Sequence, residues 1–207
     1  WTASAGNSTY VLTFNRNASG AQDITQRVSL GELTFGGGDY SIEFYFYYNG
    51  HSTAEDPAGN VGDLFHGNNG INDIRLALRN SEDQLRFHVE NNGGTLLYEN
   101  SHSLSFGNWY HVVYSQTYTG GLNLYINNVP ISTDYPAEGR VVAPVRSTYA
   151  SGNFILGQRI TANSTNNTLN GTIAFFRMWD GTALSASDVG ALYRSRNVVN
   201  YSQLDFH

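Results

Sequence analysis

The sequence predicts an all-β fold, a sandwich of two antiparallel sheets with one short helix near the carboxyl end. Runs of aromatic and β-branched residues recur every ~8–12 residues with turn residues between them, which is typical of sandwiches. In several runs apolar and polar side chains alternate strictly, as they do along a half-buried strand. The 22 glycines and 14 tyrosines suit a chain made of turns and pleated strands.

The stretch 106–179 carries the clearest strand signals. We predict a hairpin formed by 106–114 and 122–128, joined across the glycine-rich turn 118–121, and later strands at 154–157 and 169–179. The second strand of the hairpin has two distinct faces. The residues expected to face the core are Leu122, Leu124 and Ile126, and those expected to face away from it are Asn123, Tyr125 and Asn127.

The amino-terminal part begins with a predicted strand at Tyr10–Phe14, followed by an ambiguous stretch at 26–33. Tyr40–Tyr48 is predicted as a strand because it is dense in aromatic residues, flanked by glycines and alternates with period two. The side chains expected on one face are Ile42, Phe44, Phe46 and Tyr48, and those on the other are Ser41, Glu43, Tyr45 and Tyr47.

The middle of the chain is predicted as two polar loops, 49–62 and 66–73, with a short apolar segment between them. A hairpin of 74–79 and 84–89 and a short strand at 95–98 follow. The helix is predicted over 185–195, where Ser185 is placed to cap the first turn and Asp188 follows three residues later. With no repeat and no linker, residues 1–207 are expected to form a single domain.

Composition excludes several classes of function. The formal net charge is −6 and no cluster of Lys or Arg occurs, which argues against nucleic acid. No apolar run reaches the ~18 residues of a membrane span, so membrane insertion is not expected. The chain has no cysteine, which excludes disulfides and thiol chemistry. Because it starts at Trp1, we expect a processed product or an excised domain.

Five segments in order resemble the laminin-G-like jelly-roll domains of the concanavalin A-like lectin/glucanase superfamily. These segments are Gly107–Val113, Leu124–Asn128, Ile155–Gly157, Leu169–Trp179 and Ala183–Tyr193. Tyr40–Tyr45 is similar to the early aromatic strand of that family, so the resemblance extends over most of the chain. It implies a jelly-roll sandwich of two antiparallel sheets. It leaves function open, because lectins, adhesion modules, enzymes and coat proteins share this architecture.

Two positions depart from the family pattern. The strand after the Asn170–Gly171 step usually carries one or two aspartates that hold calcium or order the sheet, and here Ala174 and Phe175 stand there. The Asn-Gly turn of the hairpin is Asn127–Asn128, and asparagine also tolerates a left-handed backbone. The resemblance therefore implies a preserved turn, whereas the family's calcium site is in doubt.

Two outward-facing strand surfaces have the chemistry of a sugar site. A pyranose needs aromatic ring faces for its C–H surface, with amides or carboxylates for its hydroxyls. The candidate ligand-binding residues are Glu43, Tyr45 and Tyr47 on one strand and Asn123, Tyr125 and Asn127 on the other. If both faces meet on one sheet they form a groove. The alternative is that these tyrosines pack under loops or merely cover the sheet.

The predicted loop 66–73 brings oxygen donors and glycines together. His66, Asn68 and Asn69 are candidate rim residues for a ligand, and Asp63 with Asp73 could supply carboxylates to calcium. The alternative is that asparagine and glycine simply make the turns. Histidine spacing indicates no metal motif, and His111 is expected to be a hydrogen-bonded framework residue.

Catalysis is not expected. Glycoside hydrolysis needs two carboxylates, which related glucanases place as Glu-x-Asp-x-Glu on one strand, and no such run occurs. Trp109 and Trp179 are expected to cover the sheet or lie in the core, and Arg177 could stack on a ring. Six N-glycosylation sequons occur, and their cluster at 163–172 suggests an exposed loop of a secreted protein. The sequons are Asn7, Asn17, Asn163, Asn166, Asn170 and Asn200.

The function expected from these features is that of a non-enzymatic extracellular recognition module binding glycan or a glycosylated surface partner, with calcium as a possible cofactor. One alternative is a structural building block of a cell-surface filament, matrix or virus coat, whose partners are other copies or chains of the assembly. A polysaccharide-degrading enzyme, whose acid and base come from separate strands, is the third.

Overall fold

A computed structural model describes residues 11–14, 27–33, 38–49, 60–68, 73–79, 84–91, 95–118, 122–131, 152–158 and 169–196. These residues form strands and one helix. The elements are β1 (Val11–Phe14), β2 (Val28–Leu33), β3 (Tyr40–Tyr48), β4 (Asn60–Asn68), β5 (Asp73–Arg79), β6 (Gln84–Asn91), β7 (Thr95–Ser103), β8 (Asn108–Gln116), β9 (Leu122–Ile126), β10 (Val129–Ile131), β11 (Gly152–Leu156), β12 (Gly171–Asp180) and α1 (Ala186–Arg196).

The strands form two six-stranded antiparallel sheets. The front sheet has the order β1-β12-β3-β8-β9-β10, and the back sheet has the order β2-β11-β4-β5-β6-β7. The predicted hairpins at β8–β9 and β5–β6 are both present. Late strands lie between early ones, since β12 lies between β1 and β3, and β11 lies between β2 and β4. The prediction of a two-sheet sandwich with one short helix is confirmed.

The core lies between the sheets and follows the alternation in the sequence. The predicted inner face of β3 is buried, and Phe44 is 1% exposed. Its ring stacks on Phe176 of β12, which in turn stacks on Phe65 of the back sheet at a centroid distance of 5.8 Å. The other aromatic core residues include Tyr40, Phe46, Tyr48, Tyr114 and Phe154. Burial of these large rings removes apolar area from water and so stabilises the sandwich.

The prediction of loops around 49–62 and 66–73 is wrong in part, because β4 runs from Asn60 to Asn68. His66 and Asn68 lie within this strand, paired with Arg75 and Asp73 of β5. Gly67 misled the interpretation, since it looks like a turn residue. Its role is steric: a Cβ at Gly67 would overlap the buried ring of Phe154 on the neighbouring strand.

A β-bulge in β12 changes which residues face outward. Ala174 pairs with Tyr45 and Arg177 pairs with Glu43, so that two residues of β12 oppose one residue of β3. Phe175 is the extra residue and has a φ of 54°. Without the bulge the faces of β12 beyond Ala174 would be exchanged, because side chains alternate along a strand. The bulge therefore places Arg177 on the same face as Glu43.

Helix α1 has the predicted amino-terminal cap. The Asp188 backbone N–H donates to the Ser185 hydroxyl at 3.3 Å, and the Ser185 N–H donates to the Asp188 carboxylate at 2.9 Å. The hydroxyl of Ser185 also donates to this carboxylate, and these hydrogen bonds lower the pKa of Asp188 below its ordinary value. The reciprocal pair is a capping box. Among the described residues no helix is long and apolar enough to cross a membrane.

Helix α1 packs on the front sheet, on the side opposite the core. Val189 and the preceding Leu184 are buried there against Val113 and Tyr125. The segment before the helix is held by two serines of the sheet: Ser41 donates its hydroxyl to the Thr182 carbonyl at 2.9 Å and accepts from the Leu184 N–H, while Ser115 donates to the Leu184 carbonyl at 2.9 Å. These contacts fix where the helix begins, and therefore which part of the sheet it covers.

Candidate functional site

The outer face of the front sheet, which points away from the core, divides into two regions. Helix α1 lies over the middle of this face, which we call the covered region. The covered region comprises Glu43, Tyr45, His111, Val113, Tyr125 and Arg177. Beyond the helix, toward the end of β3 and the start of β8, lies a region that we call the aromatic patch, formed by Tyr47 and Trp109.

The covered region corrects the predicted groove. Glu43 is 0% exposed, Tyr45 is 2% exposed and Tyr125 is 6% exposed. We expected these side chains to stand open to a sugar, and this expectation is wrong. Helix α1 and the segment before it pack on Tyr125, whereas Phe175, His111 and Arg177 of the sheet contact Tyr45 and Glu43. Tyr125 contributes to the apolar contact with the helix. The alternative interpretation, in which tyrosines cover the sheet as framework, holds for Tyr45 and Tyr125.

Glu43 is the centre of a buried charge cluster. Its Oε2 accepts a hydrogen bond from Arg177 Nε at 2.6 Å and lies 2.5 Å from Arg177 Nη2. Its Oε1 lies 3.0 Å from His111 Nε2. Both carboxylate oxygens are therefore engaged. A buried carboxylate is costly unless it is paired and hydrogen-bonded in this way, so the cluster has the form of a framework feature.

Aromatic rings enclose the charge cluster. The His111 ring lies between Tyr45, at a centroid distance of 4.6 Å, and Tyr193 of the helix, at 5.5 Å. The Arg177 guanidinium lies 5.3 Å from the ring centroid of Trp179. The prediction that Arg177 stacks on a ring is confirmed, as is the prediction that His111 is a hydrogen-bonded framework residue.

The aromatic patch is the part of the predicted groove that the helix leaves open. Tyr47 and Trp109 are cross-strand partners, and their ring centroids lie 5.5 Å apart with the planes inclined at 55°. Both side chains are half-buried. Directly opposite residues of antiparallel strands share a face, so both rings lie on the outer face. A half-exposed pair of rings presents apolar surface while its polar atoms can reach water.

The sheet continues the aromatic patch as a polar row. Tyr47 pairs with Thr172 of β12, and Thr172 pairs with Thr13 of β1. The two threonine hydroxyls lie 3.4 Å apart; Thr13 is exposed, whereas Thr172 is largely covered. Trp109, Tyr47, Thr172 and Thr13 therefore form one row across four strands. We call it the cross-strand row.

The asparagines of the β9 region have different roles. Asn123 is exposed, whereas Asn127 is half-buried in the turn between β9 and β10. Asn127 and Asn128 have φ values of 51° and 64°, which confirms the predicted left-handed turn. The Asn127 side-chain oxygen accepts the backbone N–H of His111 at 2.9 Å. This contact gives Asn127 a structural role in joining the turn to β8.

The residues predicted around 63–73 do not form one site. His66 and Asp63 are both fully buried in β4. Asp63 pairs with Ala77 and Asn68 pairs with Asp73, so the two aspartates lie four residues apart along β5, or about 13 Å. This separation argues against a shared calcium ion, whose ligands lie within about 2.6 Å. The described residues contain no cluster of three or more His, Asp or Glu suited to a metal.

Several predicted residues lie outside what the structure describes. Asn69 is one of them, and the side chains of Asn68 and Asp73 are also outside it. Among the sequons, Asn170 is described. It is half-buried immediately before β12, and its carbonyl accepts the Asn49 N–H at 3.3 Å. The sequons outside the described residues are Asn7, Asn17, Asn163, Asn166 and Asn200.

Three residues of the candidate site were not predicted as such from the sequence. Trp109 was assigned to packing, and Thr13 and Thr172 were not singled out. The signal for them was register: Trp109 opposes Tyr47 because the β3–β8 pairing runs from Tyr40 opposite Gln116 to Tyr48 opposite Asn108. The sequence predicted β3 and β8 as strands, whereas the neighbours of β3 in the sheet depend on topology.

Comparison with families places the chain with the jelly-roll domains. The laminin G family model described as "Concanavalin A-like lectin/glucanases superfamily" matches residues 20–190. No curated protein matches the chain.

Solved structures with similar folds include carbohydrate-associated proteins. The binding domain of botulinum neurotoxin serotype G is 13% identical with a TM-score of 0.61, and the match covers 95% of this chain and 49% of that one. Domain 4 of the extracellular arabinanase AbnA from Geobacillus stearothermophilus, solved with arabinotriose, is 20% identical with a TM-score of 0.57, covering 89% and 87%. A Trypanosoma rangeli sialidase is 14% identical with a TM-score of 0.55, covering 81% and 24%. This chain thus corresponds to a quarter of the sialidase and half of the neurotoxin domain. At these identities the likeness is one of fold.

Proposed function

Because this chain belongs to the concanavalin A-like lectin/glucanase superfamily, we propose that it is a non-enzymatic recognition module that binds carbohydrate at the aromatic patch. The partner is a glycan, free or carried by a glycoprotein, and the site of action is extracellular. One observation carries the proposal: a half-exposed Tyr47–Trp109 pair stands on the outer face of the front sheet beyond the end of helix α1.

The chemistry of the patch suits a sugar. Ring faces of Tyr47 and Trp109 offer apolar surface to the C–H side of a pyranose. The exposed hydroxyl of Thr13 and the exposed amide of Asn49 lie at the ends of strands β1 and β3. A few polar groups around an apolar platform orient a ligand, which is the general pattern of small-molecule sites.

The arrangement of Glu43 supports binding without catalysis. Acid–base hydrolysis of a glycoside requires two carboxyl groups that flank the scissile bond. Glu43 stands on the outer face of the front sheet, but it is fully buried, and Arg177 and His111 hold both of its oxygens. A carboxylate in this state stabilises the fold and does not reach a ligand in the aromatic patch.

Two of the similar solved structures support this proposal. The AbnA domain was solved with arabinotriose, and the neurotoxin structure is a binding domain. An isolated domain of this architecture can therefore hold an oligosaccharide. The cluster of sequons at 163–172 supports a secreted setting.

The test is a glycan array followed by titration calorimetry with the variants Tyr47→Ala and Trp109→Ala. Loss of one stacking ring should cost about 1.5 kcal/mol, or roughly tenfold in Kd. Tyr118→Ala is the matched control, because Tyr118 is an exposed aromatic residue beyond the other end of β8, more than about 20 Å away. The control should bind as wild type does.

Two results would overturn the proposal. One is the absence of binding to any glycan at millimolar concentration, with and without calcium. The other is unchanged affinity in both aromatic variants when their thermal unfolding shows that they are folded. Release of reducing sugar from a polysaccharide would overturn its non-enzymatic part.

A further inference from the structure

We infer that the ligand is an extended neutral oligosaccharide and that Phe106 forms a second subsite beside the aromatic patch. This inference rests on the proposed function, since it assigns the ligand class of the same surface. Three features carry it: a rigid turn that presents Phe106, the length of the cross-strand row, and the absence of charged side chains along that row.

Phe106 lies in a turn, Ser105–Asn108, that hydrogen bonds hold in one conformation. The Tyr110 hydroxyl accepts the Ser105 N–H at 2.7 Å and donates to the Ser105 carbonyl at 2.9 Å. The Asn108 amide donates to the Phe106 carbonyl at 3.1 Å, and the Gly107 N–H donates to the Tyr48 carbonyl at 2.6 Å. Gly107 has a φ of 76°, which favours glycine and lets the chain turn here.

The turn presents a large apolar side chain to solvent. Phe106 is 67% exposed, more than Tyr118 at 46% or Val129 at 59%. A ring on a backbone that is already fixed loses less conformational entropy when a ligand covers it than a ring on a mobile loop does. Single exposed apolar residues are ordinary on protein surfaces. Phe106 can contact a ligand only because of where it lies.

The turn adjoins the aromatic patch. A Cβ placed on Gly107 would lie 3.9 Å from the Tyr47 hydroxyl, and Trp109 follows Gly107 by two residues. Phe106 precedes Gly107 directly and therefore lies near the Tyr47–Trp109 pair, past the end of β3 and the start of β8. A ligand that covers Tyr47 and Trp109 needs to extend past them to reach Phe106.

The cross-strand row is long enough for several sugar units. Thr13, Thr172, Tyr47 and Trp109 stand on four adjacent strands, and three strand spacings amount to about 14 Å. A single pyranose covers part of this length. A chain that crosses the strands can contact both rings and the Thr13 hydroxyl, and a unit that extends past the end of β3 can reach Phe106. Each added contact lowers the dissociation rate.

The described residues of the row and turn carry no formal charge at neutral pH. Threonine, tyrosine, tryptophan, serine, phenylalanine, asparagine and glycine make up this surface. Arg177, on the same face of the sheet, is engaged by Glu43. The formal net charge of the chain is −6, which disfavours sulfated or carboxylated glycans. An acidic ligand would have no cationic partner on this surface and would be repelled by the net negative charge of the chain. A neutral ligand avoids both costs.

The experiment titrates wild type and Phe106→Ala with chains of one to six units of glucose, galactose and arabinose, and with galacturonic acid hexamers. For the neutral sugar that binds, wild-type affinity should rise with chain length. Phe106→Ala should weaken the hexasaccharide about five- to tenfold and leave the monosaccharide unchanged. Tyr118→Ala, which also removes an exposed aromatic side chain, should leave both unchanged.

The outcomes separate this inference from the proposed function. Affinity that does not rise with chain length, or equal loss for mono- and hexasaccharide in Phe106→Ala, overturns the second subsite while carbohydrate binding stands. Tighter binding of the acidic hexamer than of the neutral chains overturns the neutral class. If neither these chains nor any glycan on an array binds wild type, the proposed function itself fails.

Discussion

The buried carboxylate of Glu43 offers the sharpest test of how the front sheet is held together. Glu43→Gln keeps the size and shape of the side chain but removes its charge and replaces one acceptor oxygen with a donor amide. In the protein that carboxylate accepts from Arg177 Nε at 2.6 Å and contacts His111 Nε2 at 3.0 Å. After the substitution an amide nitrogen takes the place of one carboxylate oxygen beside Arg177 or His111, with no exposure of residue 43 to water.

The expected loss follows from that geometry. Removing one partner of a buried ion pair costs about 3–5 kcal/mol, because the other charge is left without compensation. The Arg177 side chain is 35% exposed, so water solvates its charge in part. The expected loss of stability therefore lies at the lower end of this range. We expect Glu43→Gln to lower the free energy of unfolding by about 3 kcal/mol. For a domain of this size that corresponds to a fall in Tm of roughly 6–12 °C.

Urea unfolding followed by tryptophan fluorescence measures this loss, and a double-mutant cycle with Arg177→Met supplies the control. The double variant should be destabilised by less than the sum of the single variants, since both remove the same contact. A change below about 0.5 kcal/mol in Glu43→Gln, or strict additivity with Arg177→Met, would show that the cluster does not stabilise the fold as described.

Three further expectations concern the helix, the back sheet and pH. Val189→Ala, beneath the helix, should cost about 2 kcal/mol in chemical unfolding, whereas Val129→Ala, 59% exposed, should stay within about 0.5 kcal/mol; equal losses would contradict the packing of the helix. Gly67→Ala should cost about 3 kcal/mol because its methyl group meets a core ring, whereas Gly38→Ala meets no atom within 4 Å and should be near neutral in the same assay. The pKa of Asp188 is lowered from its ordinary 3.8 by the Ser185 hydrogen bonds, so its capping contribution is present above that pH and is lost as pH falls through the lowered value. Asp188→Asn should therefore unfold at a lower temperature than wild type at pH 7 and at nearly the same temperature at pH 2; a constant difference would refute the linkage.

Local pattern predicted the strands whose two faces differ in polarity. In β3 the apolar side chains of Ile42 and Phe46 alternate with polar ones, and the inner face is buried as expected. The same pattern could not give the fate of the outer face. Whether Tyr125 is open depends on where helix α1 packs, and Ser41 and Ser115, which are distant from the helix in sequence, hold the segment before the helix.

Two further features escaped the sequence because they depend on contacts between strands. The pairing of Glu43 with Arg177 requires the bulge at Phe175, and neither the extra residue nor its left-handed φ is visible in the order of apolar residues. In β4, Gly67 was interpreted as part of a turn although it makes room for a ring of β11. The sequence does not show whether a glycine is needed for its backbone conformation or for the space that it leaves to a neighbouring side chain. That depends on which residue packs against it.

The placement of β11 and β12 has a consequence for how the chain reaches its final form on the ribosome. Each of them inserts between two strands that are synthesised much earlier. The edge of β3 that pairs with β12 therefore has no hydrogen-bonded strand until residues 171–180 are synthesised. Pairing across such sequence distances is slow, and an unpaired flank rich in tyrosine and phenylalanine invites association with other nascent copies. Chains truncated before residue 152 should therefore precipitate, even though they contain both strands of the hairpins β5–β6 and β8–β9.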